Sequence, residues 1–109
     1  MRRDKNPLRF VVYGTTKTLM IFTFDPAKDA VNRARHDGLS LGFGAKVFED
    51  DRHVVLPSIR PIDGEDRYKV VGQVGGKLFT AVHVVRDGVI RFISVRRSND
   101  GEERSYNRP

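Results

Sequence analysis

Apolar residues recur along this chain with two different periods. In the second half, RYKVVGQV, LFTAVHVV and VIRFISVR are runs of β-branched and aromatic residues cut by the short turns GGK and RDG, a pattern that predicts three consecutive antiparallel strands. MIFTF at 20–24 and HVVLP at 53–57 have the same composition, the latter ended by Pro57, and PSIRPIDGED after it is a loop. Between these two strands the period becomes helical. In DPAKDAVNRARHDG, Asp25 can cap the free amides, Pro26 suits the first helical position, and Gly38 can end the helix in a left-handed turn.

On that helix Ala27, Ala30, Val31 and Ala34 form one stripe, which predicts a small-residue face lying close against a sheet. Lys28, Asn32, Arg35 and His36 run along another face, and Asp29 and Arg33 make a favourable i,i+4 pair. Ser40 can cap a second helix, LGFGAKVFED, with Leu41, Ala45, Val47 and Phe48 as its core residues. Gly42 and Gly44 each cost about 1 kcal/mol relative to alanine, so its start is expected to be short or frayed. The predicted fold class is α+β: two N-terminal helices packed on a mainly antiparallel sheet, with a short C-terminal helical tail.

A length of 109 residues suits one domain and one modest core. The absence of cysteine excludes disulfides, thiolate nucleophiles and the common zinc clusters, and with three histidines no metal or other cofactor is expected. No apolar run approaches the length of a bilayer span, and LRFVVYG near the start is short and interrupted by Arg9. A non-membrane, cytoplasmic protein is therefore expected. The net charge of +6 suggests an acidic partner, but residues 1–19 carry five basic side chains against Asp4 alone, a net of +4. Residues 20–109 net only +2, from fifteen basic and thirteen acidic side chains, so placement rather than bulk charge must create any polyanion site.

Four stretches in order, FDPAKDAVNRARH, SLGFGAKVFED, GEDRYKVVG and VIRFISVRRSNDGEERSY, resemble the successive motifs of the BrnT ribonuclease toxins of type II toxin–antitoxin pairs. The resemblance covers residues 20 to about 106. It implies a RelE-like fold, an RNA substrate, inhibition of translation, and a DNA-binding BrnA-like antitoxin through which alone operator DNA is bound. Asp25, Pro26, Lys28, Asn32, Arg35 and His36 fit the first motif; Gly64, Glu65 and Arg67 fit Gly-Glu-x-Arg; His83 stands where a His or Tyr is common. Arg91, Ser94, Arg96, Arg97, Glu103 and Tyr106 fit the closing motif, whereas Asp37 looks like an insertion and Gly42 replaces a usual acid. The resemblance implies a domain at 20–109 with a non-family extension at 1–19. Two readings of that extension stand: Met20 is the true initiator, or RFVVY pairs with MIFTF as a hairpin around Gly14.

Metal-independent RNA cleavage needs an aligned 2′-hydroxyl, charge stabilisation at phosphorus, a proton acceptor and a proton donor. Arginine supplies the second, because its fork binds two phosphate oxygens and stays charged. Strand alternation places Arg91 and Arg97 on one face, with Arg96 joining them only if the strand ends or bulges, and Arg67 and Lys69 share a face of their own strand. The expected catalytic set is thus Arg67, His83, Arg91 and Arg97, with His83 as the proton carrier. Lys28, His36, Lys69, Arg96 and Tyr106 are the expected RNA-binding set. Each has a plainer role: ion pairs for the arginines, a satisfied core histidine at His83, a helix cap at His36, and an anchor for the C-terminal helix at Tyr106. The alternative function is a non-catalytic module of the same fold that binds only an antitoxin or nucleic acid.

Overall fold

The computed structural model describes residues 8–13 and 19–109, with side chains from Met20 onward. Strands β1 (Leu8–Tyr13) and β2 (Leu19–Phe24) precede helix α1 (Pro26–Arg35). A 3-10 turn at Leu41–Phe43 leads into α2 (Gly44–Phe48), and β3 (Val54–Pro57), β4 (Tyr68–Val74), β5 (Lys77–Arg86), β6 (Val89–Arg97) and α3 (Asp100–Tyr106) follow. The α+β class and the C-terminal helix match expectation. The helices are not N-terminal, however: the first follows two strands, because the MIFTF run opens the sheet before the chain turns into α1.

The sheet order is β1-β2-β6-β5-β4-β3. The β4, β5 and β6 strands form the expected meander, β3 adds antiparallel to β4, and β1 pairs antiparallel with β2. Segment 14–18, where a turn around Gly14 was expected, lies outside the described residues. The join in the middle is parallel, with Ile21 through Phe24 beside Val89 through Phe92. One face carries the core: Phe22, Phe92, Val95, Ala81 and Val70 from the strands meet Leu41, Val47 and Phe48, all nearly or fully buried. The Phe22 and Phe92 rings stack at 5.2 Å. Glycine is needed at two places here, since a Cβ on Gly44 would strike the Phe92 ring and one on Gly72 the Val47 carbonyl oxygen. The frayed start expected for the second helix is the 3-10 turn, capped by Ser40, whose hydroxyl accepts the Gly42 N–H at 3.0 Å.

Helix α1 has the predicted boundaries but the opposite face. Asp25 accepts the Ala27 N–H at 3.0 Å and Pro26 opens the helix, yet Ala27, Ala30, Val31 and Ala34 are exposed, Val31 by 51%. The buried residue is Asn32, 5% exposed. Strand β2 stops pairing with β6 at Phe92, so the next stretch of that β6 edge has no strand beside it. Asn32 fills the vacancy: Val95 N–H donates to its Oδ1 at 3.1 Å, and its Nδ2 donates to the Val95 and Leu39 carbonyls at 2.9 Å. Satisfying a buried strand edge outweighs burying three methyl groups and a valine, because an orphaned backbone pair costs more than small side chains return.

Candidate functional site

The face of the sheet opposite α2 gathers the basic side chains, and cross-strand register decides which ones. Arg91 pairs with Thr23 on one side and Val84 on the other. Arg67 lies one residue before Tyr68, which pairs with His83, so it flanks Val84 from the far strand, about 10 Å from Arg91 at two strand spacings. Arg86, two residues beyond Val84, shares this face and was not singled out from the sequence, although its place in the alternation of LFTAVHVVR marks it. The Glu65 carboxylate sits among all three. Arg86 binds it through Nη2 at 2.6 Å and Nε at 3.0 Å, and that pairing, together with the charges of Arg67 and Arg91, holds its carboxyl below the ordinary value.

Within this cluster Arg91 is half-buried and makes no ion pair or hydrogen bond among the described residues. The Arg67 Nε forms an ion pair with Asp63 Oδ2 at 3.5 Å and is buried without a hydrogen-bond partner. Of the two guanidinium groups, Arg91 is the unpaired charge among the described residues and Arg67 is anchored by Asp63. Among the described residues Arg91 makes no ion pair with a carboxylate, although its charge is felt by Glu65.

A bulge changes the predicted partnership at the end of β6. His83 pairs with Phe92 and Val82 with Ser94, leaving Ile93 as the extra residue. The inserted position shifts the alternation, so Ser94 and Arg96, not Arg97, share the Arg91 face. Arg97 lies on the core side, its guanidinium 5.5 Å from the Phe79 ring centroid and its Nε donating to the Leu78 carbonyl at 3.3 Å. The expectation that Arg91 and Arg97 act on one surface is thus corrected. Arg96 is held in turn by the buried Glu102, which accepts both Arg96 Nη groups at 2.8 Å, Lys69 Nζ at 2.9 Å, the Thr80 hydroxyl at 2.8 Å and the Asn99 N–H at 2.9 Å. Burial pushes the Glu102 carboxyl up, but these bonds outweigh it and hold it far below the usual range. The sequence signal for this anchor was the capping box from Asn99 to Glu102.

Two more expected site residues belong to the framework. His83 is 3% exposed on the core face, its Nδ1 donating to the Ala81 carbonyl at 3.0 Å and its ring 5.2 Å from Phe48. Burial drives its pKa below the ordinary histidine value, against that hydrogen bond. It is a satisfied core histidine on the side away from Arg91. The Tyr106 hydroxyl donates to Asp50 Oδ2 at 2.5 Å and fixes α3 to the loop after α2.

Lys28 and His36 come together, as α1 and the bulge enclose a groove of about 270 Å³ lined by Lys28, Val31, Arg35, His36, Ile93 and Ser94. Among the described residues, no group of three or more His, Cys, Asp or Glu side chains could hold a metal ion, and no helix is long and apolar enough to cross a membrane. The sequence model of a family described as "Ribonuclease toxin, BrnT, of type II toxin-antitoxin system" matches residues 24–102, from the end of β2 to Glu102. No curated protein matches the chain.

Proposed function

This chain belongs to the BrnT family of ribonuclease toxins from type II toxin–antitoxin systems, and from that premise we propose that its arginine face cleaves RNA without a metal ion and so inhibits translation. The carrying observation is the pair Arg67 and Arg91, flanking Val84 on one sheet face, with Arg91 bound to no carboxylate among the described residues. In the proposed reaction the 2′-oxygen attacks phosphorus, the P–O5′ bond breaks, and a 2′,3′-cyclic phosphate forms. Arg91 and Arg67 hold the non-bridging oxygens, where preorganised charge is commonly the largest catalytic contribution. The 2′-hydroxyl proton goes to Glu65, the acceptor that faces all three arginines, and O5′ takes a proton from water. The phosphate sits between Arg67 and Arg91 while Glu65 stays bonded to Arg86.

Membership in the family implies an antitoxin partner. We assign it a BrnA-like, DNA-binding protein that covers the arginine face and carries the complex to operator DNA. A RelE-like arrangement in the cytoplasm, with the domain at 20–109 and residues 1–19 as an extension whose strand β1 pairs with β2, completes the reading. Purified protein incubated with RNA in the presence of a chelator should yield cyclic-phosphate ends. Arg91→Ala should lower the rate on the order of a hundredfold or more while leaving the unfolding transition in place. A loss of cleavage that tracks unfolding refutes the role of Arg91, cleavage abolished by the chelator refutes metal independence, and folded protein that cleaves no RNA favours the non-catalytic module.

A further inference from the structure

We propose that the groove between α1 and the β6 bulge is a nucleotide subsite: Lys28 and Arg35 take an RNA phosphate, and Val31 and Ile93 take the face of its base. The inference rests on the ribonuclease reading of the neighbouring arginine face. The groove's cations are uncommitted. Lys28, Arg35 and His36 make no side-chain ion pair or hydrogen bond among the described residues, while the two acids at the start of α1 are occupied and the exposed Asp37 lies beyond its end. Asp29 binds Arg33 at 2.9 Å, the Ser40 hydroxyl at 3.1 Å and the Leu41 N–H at 2.6 Å, and Asp25 caps α1. Unpaired cations converging on a concavity raise the local concentration of anions.

The walls argue for more than a bare anion. Val31 is 51% exposed and stands beside Lys28 and Arg35, an apolar surface within a cationic rim. That combination matches a nucleotide, whose base has a sequence-tolerant apolar face and whose phosphate needs charge. A volume of about 270 Å³ falls just under the range for drug-sized ligands, which suits one nucleotide unit. The floor is fixed, since every donor of the Asn32 amide is bound to Val95 and Leu39 carbonyls. Ser94, at the mouth, shares a face of β6 with Arg91 across the bulge, so a strand leaving the groove runs onto the arginine pair. The bulge thus does two things: it pushes Ile93 into the groove and turns Ser94 toward the site.

The test is fluorescence anisotropy with a fully 2′-O-methylated RNA hexamer, which lacks the attacking hydroxyl and cannot be cleaved, titrated across a range of KCl concentrations. Lys28→Gln/Arg35→Gln should weaken binding tenfold or more and lower the slope of log K against log salt by about 0.7 for each phosphate lost. On cleavable RNA the same variant should raise KM with kcat preserved, whereas Arg91→Ala lowers kcat. Val31→Asp, which charges the groove without touching either cation, should weaken the hexamer similarly. Circular dichroism checks the fold of each variant. Unchanged hexamer affinity and salt slope in both variants would sink the subsite while leaving the Arg91 result, and with it the ribonuclease reading, intact. Displacement of the hexamer by millimolar inorganic phosphate at constant ionic strength would reduce the groove to a simple anion site and also overturn the proposal.

Discussion

Glu102→Gln is the substitution with the largest expected effect on stability, and its size follows from the bonds already counted. The carboxylate is 2% exposed, and its two cationic partners, Lys69 and Arg96, have side chains only 24% and 29% exposed, so solvent screens them incompletely. Removing one member of a buried ion pair costs about 3–5 kcal/mol. Glutamine keeps one carbonyl acceptor, but its amide N–H groups would face an ammonium or a guanidinium, so about 2–4 kcal/mol is expected. Against a total of roughly 5–15 kcal/mol for a domain, that is a drop in Tm of roughly 10–20 °C. The pH dependence fixes the cause. Glu102 has a depressed pKa when folded, so its contribution is fully present above the unfolded value near 4.3 and is lost as pH falls below it. Urea unfolding of both proteins at pH 7 and pH 3 measures this: the gap should shrink at pH 3, with the other depressed carboxylates, Asp29, Asp50, Asp63 and Glu65, cancelling in the difference. A gap below about 1 kcal/mol at pH 7, or one that is the same at both pH values, refutes the reasoning.

Arg91→Lys should recover only part of the cleavage lost in Arg91→Ala, because an ammonium restores charge without the planar fork; a full recovery in single-turnover assays would exclude bidentate phosphate contact. His83→Phe should keep RNA cleavage and change stability by less than about 1.5 kcal/mol, as the ring packs against Phe48 on the side away from Arg91; a loss of activity with folding intact would return His83 to the mechanism. Asn32→Leu should destabilise by roughly 2–4 kcal/mol, since it orphans the N–H and C=O of Val95, and hydrogen exchange at the Val95 amide should accelerate accordingly.

Element boundaries were legible in the sequence because they rest on local chemistry. Asp25 and Pro26 start α1, Ser40 caps the next turn, and GGK and RDG separate the strands wherever the fold places them. Orientation was not, because it depends on partners distant in sequence. The stripe from Ala27 to Ala34 promised a buried face, but the free edge at Val95 is 63 residues from Asn32 along the chain, and nothing near Asn32 announces it. Alternation likewise paired Arg91 with Arg97 until the insertion at Ile93 exchanged Arg97 for Arg96. Of the site, Arg67 and Arg91 stood out as residues on predicted strands and do share a face. Arg86 and Glu65 were not assigned to it, since their meeting across the loop after β3 is a tertiary event.

The parallel join of β2 to β6 has a consequence for the order in which the molecule becomes dangerous. A parallel pair cannot close until both strands exist, and these two are separated by most of the chain. Contacts of such long sequence separation form late and slowly. Arg91 lies on the later strand, Glu102 beyond it, and the groove needs both α1 and the bulge. A nascent chain that has displayed α1 and the first part of the meander therefore has no assembled surface for RNA, and the ribosome making it is exposed to an inert polypeptide. Chains ending at Gly88 should neither unfold cooperatively nor cleave RNA, so the interval in which a partner must intercept the toxin opens only after β6 has been made.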